Sequence, residues 1–247
     1  MGKRTSPRVS VKRFQEAQKT EREYWQKKRE LLVSEDYNKH KQKAALDIFD
    51  NLQAATDDGR LEKVLEIGGG GDPMIAHFRG DRGIVIDPLA PFYKIHLLPE
   101  QLSSVIYFCG IGENLPFKEN YFDGVLVYNC IDHGIAPYDI LSESKRVLRS
   151  GGAIHLLVNT YSSQFSVFRK MIERIIPTYT IVDHTHYLRY KSIIKYVREL
   201  GFAEITSHHD KHPYSMVMSK SNESGRNIIR DLLKGHRAIR AFYRLEK

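Results

Sequence analysis

Four consecutive glycines, Gly68-Gly69-Gly70-Gly71, follow the short apolar run Val64-Leu65-Glu66-Ile67 and precede Asp72-Pro73. A strand that stops in glycines lets the backbone come close to a ligand, because no Cβ stands in the way. In an open α/β sheet such a loop sits at the carboxyl ends of the strands, where ligands are held. The spacing excludes two common phosphate ligands. A dinucleotide fingerprint needs G-x-G-x-x-G/A, and its third glycine position is Pro73 counted from Gly68, or Met74 counted from Gly69. No G-K-[S/T] phosphate loop is present. Glu66, just before the glycines, would repel a pyrophosphate but suits a cationic amino-acid tail. A second carboxylate, Asp87, lies nineteen residues after Gly68 at the end of the next apolar run and before Pro88. There it either accepts hydrogen bonds from both ribose hydroxyls or merely opens a turn. S-adenosylmethionine has an ammonium, a sulfonium and no phosphate, and is the cofactor these residues fit.

Methyl transfer from a sulfonium is an in-line displacement in which the protein mainly positions donor and nucleophile. A hydroxyl nucleophile gains from a general base, and histidine suits neutral pH. Asn129-Cys130-Ile131-Asp132-His133 follows the fourth strand and overhangs the expected methyl position. His133 is the candidate base, with Asp132 or Asn129 orienting it or lining the site; the alternative is a histidine that moves no proton. A second cluster, Asp183-His184-Thr185-His186, reads as an acceptor-lining loop. Its H-x-H spacing has no evident third ligand, so no metal site is expected. His208 and His209 alternate on a strand and read as structural. Tyr24 and Trp25 either close over the site as a lid or pin the first helix to the core. No Pro-Cys pair marks Cys130 for cytosine-C5 chemistry. No N-P-P-[YFW] marks exocyclic-amine methylation of bases.

These groups must be held by alternating strands and helices. Helical spacing covers Val11 to Val33, and again Ala44, Ala45, Ile48, Phe49 and Leu52. Strands are expected at Lys63–Ile67, Gly83–Ile86, Ser103–Phe108, Gly124–Tyr128 and Ala153–Val158. Helices are expected from Asp72, with Asp72 as its cap, to Gly80, over Ala136–Arg149, and along the Tyr190, Ile193, Ile194, Val197, Leu200 stripe. Such alternation means a mostly parallel sheet with helices on both faces. Phe202 to His209, a turn at Asp210–Pro213, and Tyr214 to Met218 read as a closing antiparallel hairpin. The expected fold is α/β and Rossmann-like, with a seven-stranded sheet. Residues 1–60 form an N-terminal helical extension or lid, 61–219 the cofactor-binding domain, and 220–247 a basic amphipathic C-terminal helix centred on Ile228 to Tyr243.

Several segments carry a family resemblance. Glu66-x-Gly68-x-Gly70 resembles motif I of the class I methyltransferases, and Val85-Ile86-Asp87-Pro88 resembles motif II. Gly112-Glu113-Asn114-Leu115-Pro116-Phe117, then Phe122-Asp123-Gly124-Val125, resembles the A-E-x-L-P-F…F-D-x-V signature of the type 11 group. Glu143-Ser144-Lys145-Arg146-Val147-Leu148-Arg149-Ser150-Gly151-Gly152 resembles its E-x-x-R-V-L-K-P-G-G. The resemblance covers about Leu61 to Met218 and implies an S-adenosylmethionine-dependent methyltransferase. It implies cofactor contacts at Glu66, Gly68, Gly69, Gly70, Asp87, Pro88, Gly112, Glu113 and Asn129. Ile111 stands where many relatives have an Asp near the adenine, leaving Glu113 or backbone to hold the amino group. The Asn129-x-x-Asp132-His133 segment with His184 and His186 is similar to methyltransferases found with polysaccharide biosynthesis.

Composition bounds the partners. The chain is 247 residues, 41% hydrophobic and 28% charged, enough to bury a core. Its net charge is +8, of which +5 falls in the last 28 residues and +4 in the first 60. Cationic ends can meet phosphates in RNA or a lipid headgroup, or can be plain solvated surface. Two cysteines, no signal-peptide pattern and no membrane-length apolar run make a reducing cytoplasm the default. The expected function is methylation, chiefly O-methylation, of a small-molecule or glycan acceptor. The alternatives are an RNA methyltransferase and a non-catalytic cofactor-binding scaffold.

Overall fold

The glycine stops and apolar runs become seven strands: β1 (Val64–Ile67), β2 (Ile84–Asp87), β3 (Ile106–Cys109), β4 (Phe122–Tyr128), β5 (Leu148–Thr160), β6 (Phe202–Asp210) and β7 (Arg237–Leu245). The helices are α1 (Val11–Leu32), α2 (Glu35–Ala55), α3 (Ala90–His96), α4 (Pro137–Val147) and α5 (Tyr190–Glu199). This computed structural model describes residues 8–78, 83–97, 105–161, 184–210 and 237–245, with the pieces 167–168, 171–172 and 174–175. The sheet order is β3-β2-β1-β4-β5-β7-β6. β1 to β5 pair in parallel, and β7 runs antiparallel to both β5 and β6. The order reverses between β1 and β4, and the carboxyl ends of that pair frame the crevice where such sheets hold ligands.

Period-two alternation sorts the strand residues onto two faces. Val64, Val85, Leu126 and Ala153 pack with Ala45, Ile48, Leu52 and Ala55 of α2. Leu65, Ile67, Ile86, Val125, Val127, Ile154 and Leu156 pack with Ile140, Leu141 and Val147 of α4 and with Ile193 and Val197 of α5. Each fully buried Leu or Ile contributes roughly 1.5–3 kcal/mol. The helices on both faces therefore hold the strand ends rigid relative to one another.

Two of the sequence signatures are clamps. Asp123, buried at the start of β4, accepts hydrogen bonds from the amides of Glu62 (3.0 Å) and Lys63 (2.9 Å). It also accepts from Arg60 Nε (3.0 Å) and Arg149 Nε (2.7 Å), tying the entry to β1 to the turn within β5. Burial works against the charge, yet these donors hold its pKa below the ordinary value. Its stabilisation is therefore present above the usual carboxylate range and lost as pH falls through the lowered value. Glu143 and Arg146 of α4 form the second clamp. Glu143 Oε2 accepts from the Leu115 amide (2.9 Å), while Arg146 donates to the carbonyls of Leu115 (2.9 Å) and Phe117 (2.7 Å). The L-P-F and E-x-x-R segments are thus tied together, each completing the other's hydrogen bonds. Asp123→Ala is expected to destabilise the fold by about 1–2 kcal/mol, because it removes one acceptor shared by four partly buried donors. Urea unfolding at neutral pH checks this, and an unchanged midpoint would contradict the clamp.

Three expectations change. The helix expected from Asp72 to Gly80 is a 3₁₀ turn over Met74–His77, and Asp72 is not its cap. The expected partner of β6, Tyr214–Met218, lies outside the described residues, and β6 pairs instead with β7. β7 also corrects the basic amphipathic C-terminal helix of 220–247: Arg237–Leu245 is a strand, and 228–236 lies outside the described residues. The long strand β5 presents backbone groups that need partners, and a stretch carrying Ile239, Phe242 and Tyr243 satisfies them as a strand. Among the described residues no helix is long and apolar enough to cross a membrane.

Candidate active site

Gly68 (φ +70°) and Gly70 (φ +62°) turn the chain sharply after β1. A Cβ on Gly68 would stand 2.4 Å from that of Cys130, so the loops after β1 and β4 touch at the crevice. A Cβ on Gly70 would stand 2.6 Å from the Trp25 ring, and one on Gly71 2.8 Å from it. Trp25 thus lies flush on the glycine loop. Its Nε1 donates to Glu21 (2.8 Å), and its ring meets Tyr93 edge-on at 6.1 Å. Below the loop, Tyr107 donates from its hydroxyl to the Gly70 carbonyl (3.0 Å).

Glu66 is buried on the α2 side, where its two oxygens accept from the amides of Met74 (3.1 Å) and Ile75 (2.8 Å). It caps the 3₁₀ turn and shapes the loop from beneath, rather than facing a cationic tail. Burial raises its pKa to about 6 despite those bonds. Asp72 is drawn toward α2: Tyr37 donates to it (2.7 Å), and Lys41 (3.2 Å) and His77 (2.7 Å) flank it. Burial opposes its charge, but His77, Lys41 and Tyr37 together bring its pKa to about 2.

Asp87, at the end of β2, accepts from the amides of Gly70 (3.1 Å) and Leu89 (2.7 Å). It therefore couples the glycine loop to the turn after β2, and it is 6% exposed. Burial, with the charges of Glu21 and Glu66, raises its pKa to about 7 against the amide bonds that lower it. The folded state then holds this proton more tightly than the unfolded chain. Stability from this group is complete below the ordinary carboxylate range and is lost as pH rises through about 7. Asp87→Asn removes that dependence. From pH 5 to pH 8 the variant's cofactor-free stability is expected to improve on wild type by about 2 kcal/mol. Parallel urea curves at the two pH values measure the difference, and a constant offset would rule out the shift.

Beyond β4 the chain folds the two sequence clusters together. Asn129 adopts φ +53°, an uncommon conformation that asparagine tolerates. Asn159 of β5 donates to its side-chain oxygen (2.7 Å). Ile131–His133 then forms a 3₁₀ turn that buries Asp132 completely. His184 Nδ1 donates to Asp132 Oδ2 at 2.7 Å, so the carboxylate fixes the tautomer of that ring. The His133 ring lies 4.8 Å from the His184 ring, with Nε2 3.9 Å from Asp132 Oδ1. Burial alone would raise the Asp132 pKa, but His133 and His184 hold it below its ordinary value. The Asp132 carbonyl accepts from the amides of Thr185 (2.9 Å) and His186 (3.0 Å), which fastens the second loop to the first. Arg13 of α1 donates to the His184 carbonyl (3.1 Å).

The structure therefore joins Asp132, His133 and His184, and gives the carboxylate's hydrogen bond to His184, where the spacing suggested His133. His186 turns aside, its Nε2 donating to the Ile135 carbonyl (3.1 Å), and burial lowers its pKa. Asp183 lies outside the described residues. Trp25 is on the glycine loop rather than in the histidine cluster. Tyr24 is exposed, with the Lys28 ammonium 4.5 Å from its ring centre. Glu113 accepts from the amides of Ile135 and Ala136, and so braces the turn after His133. Gly112 is packed so that a Cβ would meet Ile67 at 2.7 Å. Cys130 donates to the Ile67 carbonyl (2.9 Å), and burial pushes its thiol pKa well up, which opposes a covalent role. Sequence reasoning missed Tyr93, Tyr107, Arg13 and Asn159. Each reaches the site from an element whose placement only the fold reveals.

Residues 65–156, from β1 through most of β5, match the family described as "Methyltransferase domain". The chain carries a class I S-adenosylmethionine-dependent methyltransferase domain. S-adenosylmethionine is the domain's cofactor. An uncharacterised protein of Methanocaldococcus jannaschii is 32% identical over 94 residues, covering 38% of this chain and 44% of that protein. The chain thus spans less than half the length of this relative. A candidate methyltransferase of Bacillus halodurans C-125 superposes with a TM-score of 0.60 at 19% identity, over 83% of this chain and 99% of that one. A geranyl diphosphate C-methyltransferase of Streptomyces coelicolor A3(2), solved with Mg2+, geranyl diphosphate and S-adenosyl-L-homocysteine, gives 0.60 at 12% identity. That superposition covers 86% of this chain and 85% of the other. At such identities these structures share the fold of the methyltransferase domain.

Proposed function

We propose that the chain transfers a methyl group from S-adenosylmethionine to a hydroxyl oxygen of a small-molecule or glycan acceptor. The observation that carries this reading is the buried Asp132 bonded to His184 at 2.7 Å, just past the β4 end of the crevice. When bound, the cofactor supplies a methyl on a sulfonium, whose sulfur leaves with the bonding electron pair. The chain's own residues position and deprotonate. Gly68, Gly69 and Gly70 supply a backbone surface without side chains. Asp87, Pro88, Gly112, Glu113 and Asn129 are assigned to the same cofactor surface, with Asp87 as the acceptor for the ribose hydroxyls. His184, anchored by Asp132, or His133 beside it receives the proton that the acceptor hydroxyl gives up as its oxygen takes the methyl.

Charge-assisted hydrogen bonds contribute roughly 1.5–3 kcal/mol each, so Asp87→Ala is expected to weaken cofactor binding at least tenfold. Titration calorimetry with S-adenosylhomocysteine reads this directly, and unchanged affinity would remove Asp87 from the binding set. The reaction itself is tested by transfer of radiolabelled methyl into fractionated whole-cell extract. Label in a nuclease-resistant small-molecule or glycan fraction, stable to conditions that cleave methyl esters, supports the reading. Label confined to nuclease-sensitive material would replace it with an RNA acceptor.

A further inference from the structure

Asp132 carries more than its bond to His184 explains. The residue is 0% exposed, and no hydrogen-bond donor among the described residues reaches its second oxygen, Oδ1. A buried carboxylate oxygen without a donor is costly. Oδ1 faces His133 Nε2 at 3.9 Å, too far for a hydrogen bond. One ligand-capable atom from each of Asp132, His133 and His184 lies within 4.8 Å of the others. Two imidazoles and a carboxylate on converging loops form the ligand set of a borderline divalent ion.

We propose that Asp132, His133 and His184 bind a divalent transition-metal ion. Metal–nitrogen and metal–oxygen distances of about 2 Å put tetrahedral ligand atoms about 3.3 Å apart, so the widest pair must close by about 1.5 Å. The side chains can supply that movement, because the backbone around them is already fixed. The Asp132 carbonyl holds the Thr185 and His186 amides, and Arg13 holds the His184 carbonyl. Three protein ligands leave coordination positions open, as in sites that also bind a substrate. In that role the site deepens the transfer reading and rests on it: with the ion bound the imidazoles serve as its ligands, and the ion would draw in an acceptor through its oxygen and lower the hydroxyl's pKa, so that the proton passes to solvent instead of to a histidine. The site also explains why the loop around His184 is fastened so closely to the turn after β4. The Asp183-His184-Thr185-His186 spacing reads as an acceptor-lining loop with no metal site expected, because no third ligand is evident in the sequence. The fold instead takes one histidine from that loop and completes the set from the other.

The test uses the full, untagged chain after chelator treatment and dialysis, titrated with Co2+ and, in competition, with Zn2+. The expected result is one equivalent of Co2+ with visible d–d absorption of a low-coordinate site, displaced by Zn2+. His133→Gln and Asp132→Asn should each weaken Co2+ binding at least a hundredfold. S-adenosylhomocysteine affinity, measured on the same samples, reports whether each variant is folded. Absence of the Co2+ band in folded wild type would overturn the site, as would its survival in both variants. Full-rate transfer by stripped protein without a Co2+ band would remove the ion and leave the transfer reading intact. A stoichiometric Co2+ band that both substitutions abolish, without methyl transfer into any fraction, would keep the site and remove the transfer reading.

Discussion

Replacing His184 by alanine is expected to lower kcat by roughly 10² to 10⁴, the range that positioned proton transfer contributes. The affinity for S-adenosylhomocysteine should stay within about threefold of wild type. The two effects separate because the site has two ends. The glycine loop is held by Asp87, Tyr107 and Trp25. His184 is held by Asp132 and, through its carbonyl, by Arg13. Removing the imidazole leaves Asp132 wholly buried without its donor, which carries a stability cost of about 3 kcal/mol. Asp132→Asn relieves the stranded charge while still disturbing the ring's tautomer, so it should be slow in turnover yet closer to wild type in melting. Rapid-quench measurement of single turnovers, beside a thermal melt of each variant, checks both. Wild-type turnover in folded His184→Ala would end the assignment.

Gly70→Val is expected to weaken S-adenosylhomocysteine binding by more than about 100-fold, equivalent to roughly 3 kcal/mol. Two costs combine. A φ of +62° is an outlier for a β-branched residue, and the new Cβ would lie 2.6 Å from the Trp25 ring. The loop cannot yield easily, because the Gly70 amide is bonded to Asp87 and its carbonyl to Tyr107. Gly59 supplies the control. Its φ is +69°, but nothing lies within 4 Å of an added Cβ, so Gly59→Val should lose stability without losing cofactor. Pairing Gly70→Val with Trp25→Ala removes the collision and keeps the backbone strain, and should recover part of the affinity. Calorimetric binding within threefold of wild type for Gly70→Val alone would mean that the loop does not carry the cofactor.

The sheet was legible because its signals are local. β1 and β2 announce themselves by buried runs that stop at glycine or Asp-Pro, β4 by the apolar run Val125–Tyr128, and the stripe of α5 has helical period. The site was legible by type more than by partner. Glu66 and Asp87 stand at the ends of strands as their spacing indicates, but the spacing could not show that Glu66 points down to the Met74 and Ile75 amides. Likewise His133 and His184 lie far apart in sequence, and only folding of the two loops shows which histidine Asp132 holds. Tyr107 reads as an ordinary strand position, and Tyr93 falls in α3, a helix that the sequence reading did not expect. The Tyr93 ring meets Trp25 and the Tyr107 hydroxyl meets the Gly70 carbonyl only through neighbours that the fold supplies. The region 237–245 was misread for a physical reason. The spacing of Ile239, Phe242 and Tyr243 fits a helical face while their β-branched and aromatic types suit a strand, and the open edge of β5 decides between them.

That edge also bears on how the chain is made. β7 lies between β5 and β6, although both precede it in sequence. A nascent chain therefore releases the glycine loop and both histidine segments before the strand that joins β6 to the rest of the sheet. Until residues 237–245 emerge, β5 carries an unpaired edge and β6 has no neighbour among the described strands, a situation that invites pairing with other chains. Contacts so distant in sequence close slowly. Ribosome-bound chains lacking 237–245 should thus engage chaperones that shield strand edges, and release from them should coincide with synthesis of β7.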